Sequence, residues 1–131
     1  MKLVVNVDGG ARGNPGPAAI GVVVSDPDGN VLEEISEPIG VATNNVAEYR
    51  AVLRGVQTAR AFGADELELV GDSELVARQL SGAYRVKNAA LKPLHEEALG
   101  GLRGLRWRIR TVPREQNARA DYLVNRALDE A

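Results

Sequence analysis

The sequence predicts the α/β class: a mixed sheet with helices packed on its faces. Three observations lead there. Up to Ile39 the chain holds three apolar runs of strand length separated by turn residues, the mark of an antiparallel meander. From Val46 the apolar period lengthens to that of a helix, and from Glu66 onward short strand-like and helical runs alternate. At 131 residues and 44% hydrophobic, the chain fits a single domain, 1–131, able to bury a continuous core. A meander followed by alternating strands and helices requires antiparallel and parallel pairs in one sheet, with crossovers on its faces.

The first strand carries Leu3, Val5 and Val7 on one face and Val4, Asn6 and Asp8 on the other, so it ends in a carboxylate aimed away from its apolar side. Asp8-Gly9 would suit a hairpin turn, but the next apolar run begins only at Ala18. The connection is packed with Gly9, Gly10, Gly13 and Gly16, and a loop so poor in side chains lets a large group approach the backbone. Ala18 to Ser25 and Val31 to Ile39 are the next strands, with Asp26-Pro27-Asp28-Gly29-Asn30 turning between them. Thr43-Asn44-Asn45 opens a helix that runs to about Ala61 and stops at Gly63. Val46, Tyr49, Leu53 and Val56 form its core stripe, and Arg50, Arg54, Gln57 and Ala61 its exposed one. Glu48, Val52, Gly55 and Ala59 lie on the flank, where Gly55 permits close approach to a sheet.

Glu66 to Asp72 is a short strand, and Ser73 to Leu80 a helix ended by Gly82. A further helix spans Asn88 to Arg103, with Leu91, Leu94, Ala98 and Leu102 apolar and Pro93 near its first turns. In the last strand, Leu105 to Val112, Trp107, Ile109 and Thr111 alternate with Arg106, Arg108 and Arg110. Arginine on the outward face of an edge strand reads as protection against aggregation. Pro113 closes that strand, and a final helix opens around Asn117.

The absence of cysteine excludes a disulfide framework, a thiolate metal site and a thiol nucleophile, and is compatible with a reducing compartment. No run reaches membrane-spanning length and no targeting signal opens the chain. A cytoplasmic monomer with no membrane partner is expected. Net charge is −2, so a nucleic-acid partner would have to be held by local placement of charge rather than by overall basicity.

Four carboxylates fall at similar places: Asp8 and Asp72 at strand ends, Glu48 and Asp121 in first turns of helices. Each has a structural role open to it. Asn45 with Glu48 has capping-box spacing, Asp72 could cap the helix behind it, and Asp121 would suit the positive end of a helix dipole. Those roles do not explain the coincidence, because strand ends and helix starts can share one edge of a sheet. Four like charges brought together there would repel severely unless cations sat among them. Oxygen ligands without histidine or thiol point to Mg²⁺ or Mn²⁺.

Five stretches give the pattern a name: Asp8-Gly9-Gly10-Ala11-Arg12-Gly13-Asn14-Pro15-Gly16-Pro17, Thr43-Asn44-Asn45-Val46-Ala47-Glu48, Gly71-Asp72-Ser73, Val86-Lys87-Asn88 and Asn117-Ala118-Arg119-Ala120-Asp121. In this order the chain resembles the ribonuclease H type 1 family from end to end. The resemblance implies the RNase H-like fold, a five-stranded mixed sheet of three antiparallel strands and then two parallel ones, flanked by helices. It implies that Asp8, Glu48, Asp72 and Asp121 are catalytic and bind two divalent cations, Mg²⁺ or Mn²⁺. The substrate it implies is an RNA/DNA hybrid, with cleavage of the RNA strand leaving 5′-phosphate and 3′-hydroxyl ends. Cations about 3.5–4 Å apart would activate water on one side of the scissile phosphate and stabilise the leaving oxygen on the other. Asp8 would bridge both, Glu48 and Asp72 would hold the water-side ion, with Asp72 also shared, and Asp121 would complete the other.

By the same match, Asn14, Asn44 and Asn45 lie along the RNA strand, and Gly9, Gly10, Ser73 and Asn117 join the substrate-binding residues. Arg12, Lys87, Arg114 and Arg119 are candidates for phosphate contacts. Two departures stand out. The chain is short between Ala77 and Val86, where some members insert a basic helix and loop that grips the hybrid. It is also short between Pro113 and Asn117, where many members carry a histidine; Arg114 and Glu115 stand there instead, and the single histidine, His95, falls within a helix as a half-buried surface residue. Two other classes share parts of the pattern: a non-catalytic hybrid-binding module, which would have lost a carboxylate, and a receiver- or phosphatase-like phosphoryl-transfer protein, which would favour a mostly parallel sheet.

Overall fold

The computed structural model describes all residues, Met1–Ala131. Its strands are β1 (Lys2–Ala11), β2 (Gly16–Ser25), β3 (Val31–Ala42), β4 (Glu66–Gly71) and β5 (Arg106–Thr111), in one sheet of order β3-β2-β1-β4-β5. β1 with β2 and β2 with β3 are antiparallel, while β1 with β4 and β4 with β5 are parallel. This is the expected mixed sheet, and its antiparallel half departs from the mostly parallel sheet of receiver-like phosphoryl-transfer proteins. The helices are α1 (Asn44–Ala61), α2 (Glu74–Leu80), α3 (Lys92–Leu102) and α4 (Ala118–Glu130), with a 3₁₀ turn at Arg114–Asn117 before the last. No helix is long and apolar enough to cross a membrane.

Side-chain alternation decides which helix covers which face. Leu3, Val5 and Val7 of β1 and Ile20, Val22 and Val24 of β2 point to one side, where they join residues of α1, α2 and α3 in a core of 22 buried residues. Ala19 and Val23 point to the other side and meet Ala120, Leu123, Val124 and Ala127 of α4. Each fully buried Val or Leu is worth about 1.5–3 kcal/mol, so the α1 side carries most of the stability. The β4–β5 part of the α4 side bears Glu66, Glu68, Arg106, Arg108 and Arg110 instead.

On α1, Tyr49, Leu53 and Val56 are buried as expected, but so are Val52, Gly55 and Ala59 of the flank. The helix lies between the sheet and α3, so its apolar face is wider than one stripe. A methyl at Gly55 would come within 2.8 Å of Val5 Cγ1, so the close approach to the sheet is real.

β2 starts at Gly16 rather than Ala18 and β3 runs to Ala42 rather than Ile39, and two further expected boundaries move. Asp8 is not a strand end: β1 continues through Gly9 and Gly10 to Ala11, pairing Asp8 with Gly21 and Gly9 with Ile20. What ends near Asp8 is the parallel ladder to β4, whose last pair is Asn6 with Val70. The third helix begins at Lys92 rather than Asn88, because Pro93 lies in its first turn and the Asn88 side chain accepts from Ala90 N at 2.8 Å in a local turn. The segment from α2 to α3 holds no additional helix, as the short spacing implied.

Gly9 has its own reason to be glycine. A methyl there would fall 2.2–2.5 Å from the backbone of Ala47 and Glu48, so the absent side chain admits α1 rather than an outside group. Gly9→Ala is expected to lower stability by about 1–3 kcal/mol and to displace Glu48. Gly100→Ala, where the added methyl meets nothing within 4 Å, is expected to raise it by up to about 1 kcal/mol. Thermal unfolding of the two variants should therefore move in opposite directions.

Candidate active site

Four elements deliver one carboxylate each to the end of β4. Asp8 comes from within β1, Glu48 from the second turn of α1, Asp72 follows β4 directly, and Asp121 lies in the first turn of α4. With Gly10, Arg12, Asn44 and Arg114 they line an open cleft of about 380 Å³. The structural roles open to two of them are taken by neighbours. Thr43 caps α1, its hydroxyl accepting from Val46 N at 3.2 Å, so the Asn45–Glu48 capping box does not form. Glu48 lies beyond the first turn of α1. Ser73, not Asp72, caps α2, accepting from Val76 N at 3.2 Å. Asp121 alone keeps the favourable position at a helix start.

The electrostatics follow from crowding and burial. Behind the cleft a small cavity of about 20 Å³ is bounded by Val7, Val52, Val76 and Ile109 as well as by Asp8, Glu48 and Asp72. Burial, then the charges of Asp72 and Asp121, a hydrogen bond with Asp121 and the charge of Glu48, push the Asp8 carboxyl up to about 8. Glu48 rises to about 7, chiefly through burial; a hydrogen bond with Ser73 opposes the rise and the charge of Asp72 adds to it. Arg114 Nη2 donates to Asp121 Oδ1 at 3.0 Å. That hydrogen bond and the Asp121 charge, followed more weakly by Asp8 and Asp72, hold its guanidinium still more firmly protonated.

No three of these side chains are preset around a common point at ligand distance; they border a cleft rather than close on a centre. The donor set is nonetheless all hard oxygen, with a crowding of carboxylates that is eased in the free protein by protons on Asp8 and Glu48 and by Arg114 beside Asp121. Such a set suits Mg²⁺ or Mn²⁺, which retain water in their remaining positions.

The other expected site residues divide. Asn14 and Asn44 join the loop after β1 to the start of α1: Asn14 Oδ1 accepts from Asn44 N at 3.0 Å, and Asn44 Oδ1 from Ala11 N at 2.8 Å. Asn45 is half-buried beside them. Gly10 and Arg12 line the cleft, with Arg12 donating to Asp129 Oδ1 at 2.6 Å. Lys87 is exposed between α2 and α3 and does not border the cleft. Asn117 is corrected as a substrate contact: it is 2% exposed, donates to the Val7 carbonyl at 2.9 Å and accepts from Asn6 Nδ2 at 3.1 Å. Its amide ties the approach to α4 onto β1. Arg119 forks onto Glu34 at 2.6 and 2.7 Å and stacks on Tyr122, away from the cleft. Of the short loop, Arg114 faces the carboxylates and Glu115 does not border the cleft. His95 is half-buried, with Nε2 3.1 Å from the Gln79 carbonyl. Asn125, which also lines the cleft and donates to the Asp121 carbonyl at 3.0 Å, was not anticipated. Its place one helical turn after Asp121 was the available signal.

The fold and the site define a reverse transcriptase-like domain, and the family model of that description matches residues 6–127. The chain belongs to the ribonuclease H type 1 family, in the form that lacks the basic protrusion. Ribonuclease HI of Halobacterium salinarum is 47% identical over 125 residues, covering 95% of this chain and 63% of that protein. The bifunctional protein Rv2228c of Mycobacterium tuberculosis is 45% identical over 133 residues, 100% of this chain and 36% of that protein. The chain thus spans under two thirds of the length of these relatives. Among solved structures, RNase H1 from Halobacterium salinarum superposes with a TM-score of 0.97 at 45% identity over all of both chains. LC11-RNase H1 in complex with an RNA/DNA hybrid gives 0.93 at 45% identity, over 98% of this chain and 97% of that one.

The crowding has a measurable consequence. Asp8 is ionised in the unfolded chain above its ordinary value of 3.8 but keeps its proton in the fold up to about 8. Between those values the folded state binds more protons, so in chelator stability should fall as pH rises across that window. Asp26, Glu34, Asp65 and Glu68, whose carboxyls are held low, act below it and with the opposite sign. Asp8→Asn should flatten the decline, and Mg²⁺ should restore stability at the alkaline end. Melting temperatures across pH 4–9 in chelator check this; a rise with pH through the window would contradict it.

Proposed function

We propose that the chain is a divalent-cation-dependent endoribonuclease that hydrolyses the RNA strand of RNA/DNA hybrids, leaving 5′-phosphate and 3′-hydroxyl ends. The observation that carries the reading is the meeting of Asp8, Glu48, Asp72 and Asp121, from four separate elements, at a charge density that keeps protons on Asp8 and Glu48. A relative of 45% identity described in complex with an RNA/DNA hybrid supports the substrate class.

Asp8, Glu48, Asp72 and Asp121 would hold two ions of Mg²⁺ or Mn²⁺, which would supply the charge needed to activate a water and steady the leaving oxygen. The remaining tasks belong to the protein. Asp8, whose carboxyl feels the charges of the other three, is the carboxylate that would be shared. Ser73 steadies Glu48 through its hydroxyl, and Asn117 fixes the approach to α4, and with it Asp121, against β1. Arg114 balances Asp121 in the free protein and is placed to meet a phosphate in the cleft. The backbone of Gly9 and Gly10 and the amides of Asn14, Asn44 and Asn45 offer uncharged donors and acceptors, which suit the shallow minor groove where 2′-hydroxyls mark RNA. Arg12 and Lys87 add phosphate contacts from either side. The domain acts as a monomer on its hybrid.

Incubating the protein with labelled RNA/DNA hybrid, duplex DNA and duplex RNA, with Mg²⁺, Mn²⁺ or chelator, tests the reading. Cleavage of the hybrid's RNA strand alone, dependent on the cation, is expected. Asp8→Asn should reduce it on the order of 10³-fold or more, with little further loss when a second carboxylate is replaced. Asp121→Asn should retain the most activity, because water can replace one flanking ligand on an oxygen-coordinated cation. Near-normal cleavage by Asp8→Asn would overturn the assignment.

Because Thr43 is the cap of α1, Asn45→Ala should leave the melting temperature nearly unchanged while cleavage falls several-fold. A loss of activity matched by unfolding would show Asn45 to be structural.

A further inference from the structure

The sheet face that α4 leaves uncovered carries a row of cations. β5 turns Arg106, Arg108 and Arg110 to this side, while Trp107 and Ile109 pack against the core on the other. Their side chains are 77%, 70% and 52% exposed. Strand geometry spaces them by roughly 6.6 Å, the order of the interval between consecutive phosphates on a nucleic-acid strand.

These arginines are held in place. Arg106 and Lys2 share Glu66, at 3.4 and 3.8 Å. Arg108 Nε donates to Glu68 Oε2 at 2.6 Å, and Arg110 Nε to Glu68 Oε1 at 3.2 Å. Glu68 is 8% exposed, so a buried carboxylate braces two guanidinium groups from below, and Arg110 keeps both terminal nitrogens for an outside acceptor. Four cations face two carboxylates, which leaves a local positive excess on a chain of net charge −2. Protection of an edge strand needs no more than a charged side chain; three arginines with a buried brace exceed that need. The row also begins beside the cleft. Arg110 pairs in register with Val70, two residues before Asp72, and beyond β5 the chain leads within a few residues to Arg114 on the cleft wall.

We propose that Arg106, Arg108 and Arg110 form a track for the single-stranded continuation of the nucleic acid whose hybrid portion occupies the cleft. The inference rests on the hybrid-cleavage reading and extends it to the flanking strand. A single row of guanidinium groups matches one backbone rather than a duplex. With Trp107 turned inward, it offers no stacking platform and reads charge without base preference. RNA and DNA overhangs share that chemistry.

The test is binding by fluorescence anisotropy in Mg²⁺, with Asp8→Asn as background to prevent cleavage. The probes are a blunt hybrid, the same hybrid with a DNA or an RNA overhang of about ten nucleotides at either end, and the hybrid lengthened by blunt duplex. An overhang at one end should tighten binding roughly tenfold at low salt and steepen the salt dependence. Arg106→Gln with Arg110→Gln, which leaves Arg108 on Glu68, should remove that gain and lower the slope by about 1.4, while the blunt hybrid binds as before. Should the double variant unfold, Arg110→Gln alone should remove about half of the slope change. The track is overturned if overhangs add nothing, if the glutamine variants keep the gain, or if blunt duplex extension gives the same gain. Failure of the underlying reading would look different: the unsubstituted protein would leave the blunt hybrid uncut in Mg²⁺, whatever the overhangs did.

Discussion

The rest of the structure depends on one constraint: four carboxylates must be held within reach of one another in a partly buried cleft, where like charges repel most strongly. Left to itself, such a group would spread apart or stay protonated, and protonation is what Asp8 and Glu48 show. Rigidity must therefore come from elsewhere. Gly9 lets the backbone of α1 rest directly on β1, fixing Glu48 against Asp8 with no side chain between them. Asn117 spends both ends of its amide on β1, and so fixes the strand that bears Asp8 to the turn that leads to Asp121. Gly21 does the same for α4 itself, since a methyl there would lie 2.2 Å from the Ala120 carbonyl oxygen. Close backbone contact, rather than favourable charge, holds the site together.

The caps show how stability and chemistry are kept apart. A helix start needs an acceptor for its free N–H groups, and an aspartate or glutamate nearby could serve. Here Thr43 and Ser73 supply it, so Glu48 and Asp72 are left with no structural task that would pin them in a non-productive direction. Arg114 acts differently, since it answers the charge of Asp121 yet sits on a short exposed turn from which it can be displaced. One carboxylate of the four thus has an internal cation, while Asp8 and Glu48 answer the crowding by holding protons.

Much of this was legible in the residues. The order of strands and helices followed from apolar periodicity, because β2 and α1 are strongly patterned. The four carboxylates could be singled out because each stands in a long motif and reads as lying near an element boundary, which for Asp8 is the end of the ladder to β4 rather than of β1. The extension of β1 through Asp8-Gly9-Gly10 was not legible, because glycines that suit a turn locally are here required by a helix packed across them, a contact between segments about forty residues apart. The start of α3 was misplaced for a local reason: Asn88 makes a turn with Ala90, Leu91 and Lys92 immediately ahead of the helix that imitates helical spacing. Asn117 was assigned to the substrate because a polar residue within a motif gives no sign of whether it is buried, and only the fold brings Asn6 beside it.

The arginines of β5 show the same limit from the other side. Read along the chain, Arg106, Arg108 and Arg110 are indistinguishable from any charged edge strand. Their meaning changes because parallel pairing sets Glu66 opposite Arg106 and Glu68 opposite Arg108, while Arg110, opposite Val70, reaches back to Glu68. Burial pushes the Glu68 carboxyl up, and the hydrogen bonds and charges of Arg108 and Arg110 together hold it low. The pairing converts flexible side chains into fixed ones. On the proposed reading, fixed cations on the face where α4 begins, beside a cleft whose own charge is negative, would separate two tasks: attraction of a nucleic-acid backbone and chemistry on it. That separation would let the cleft remain acidic while the molecule still presents a positive surface close by.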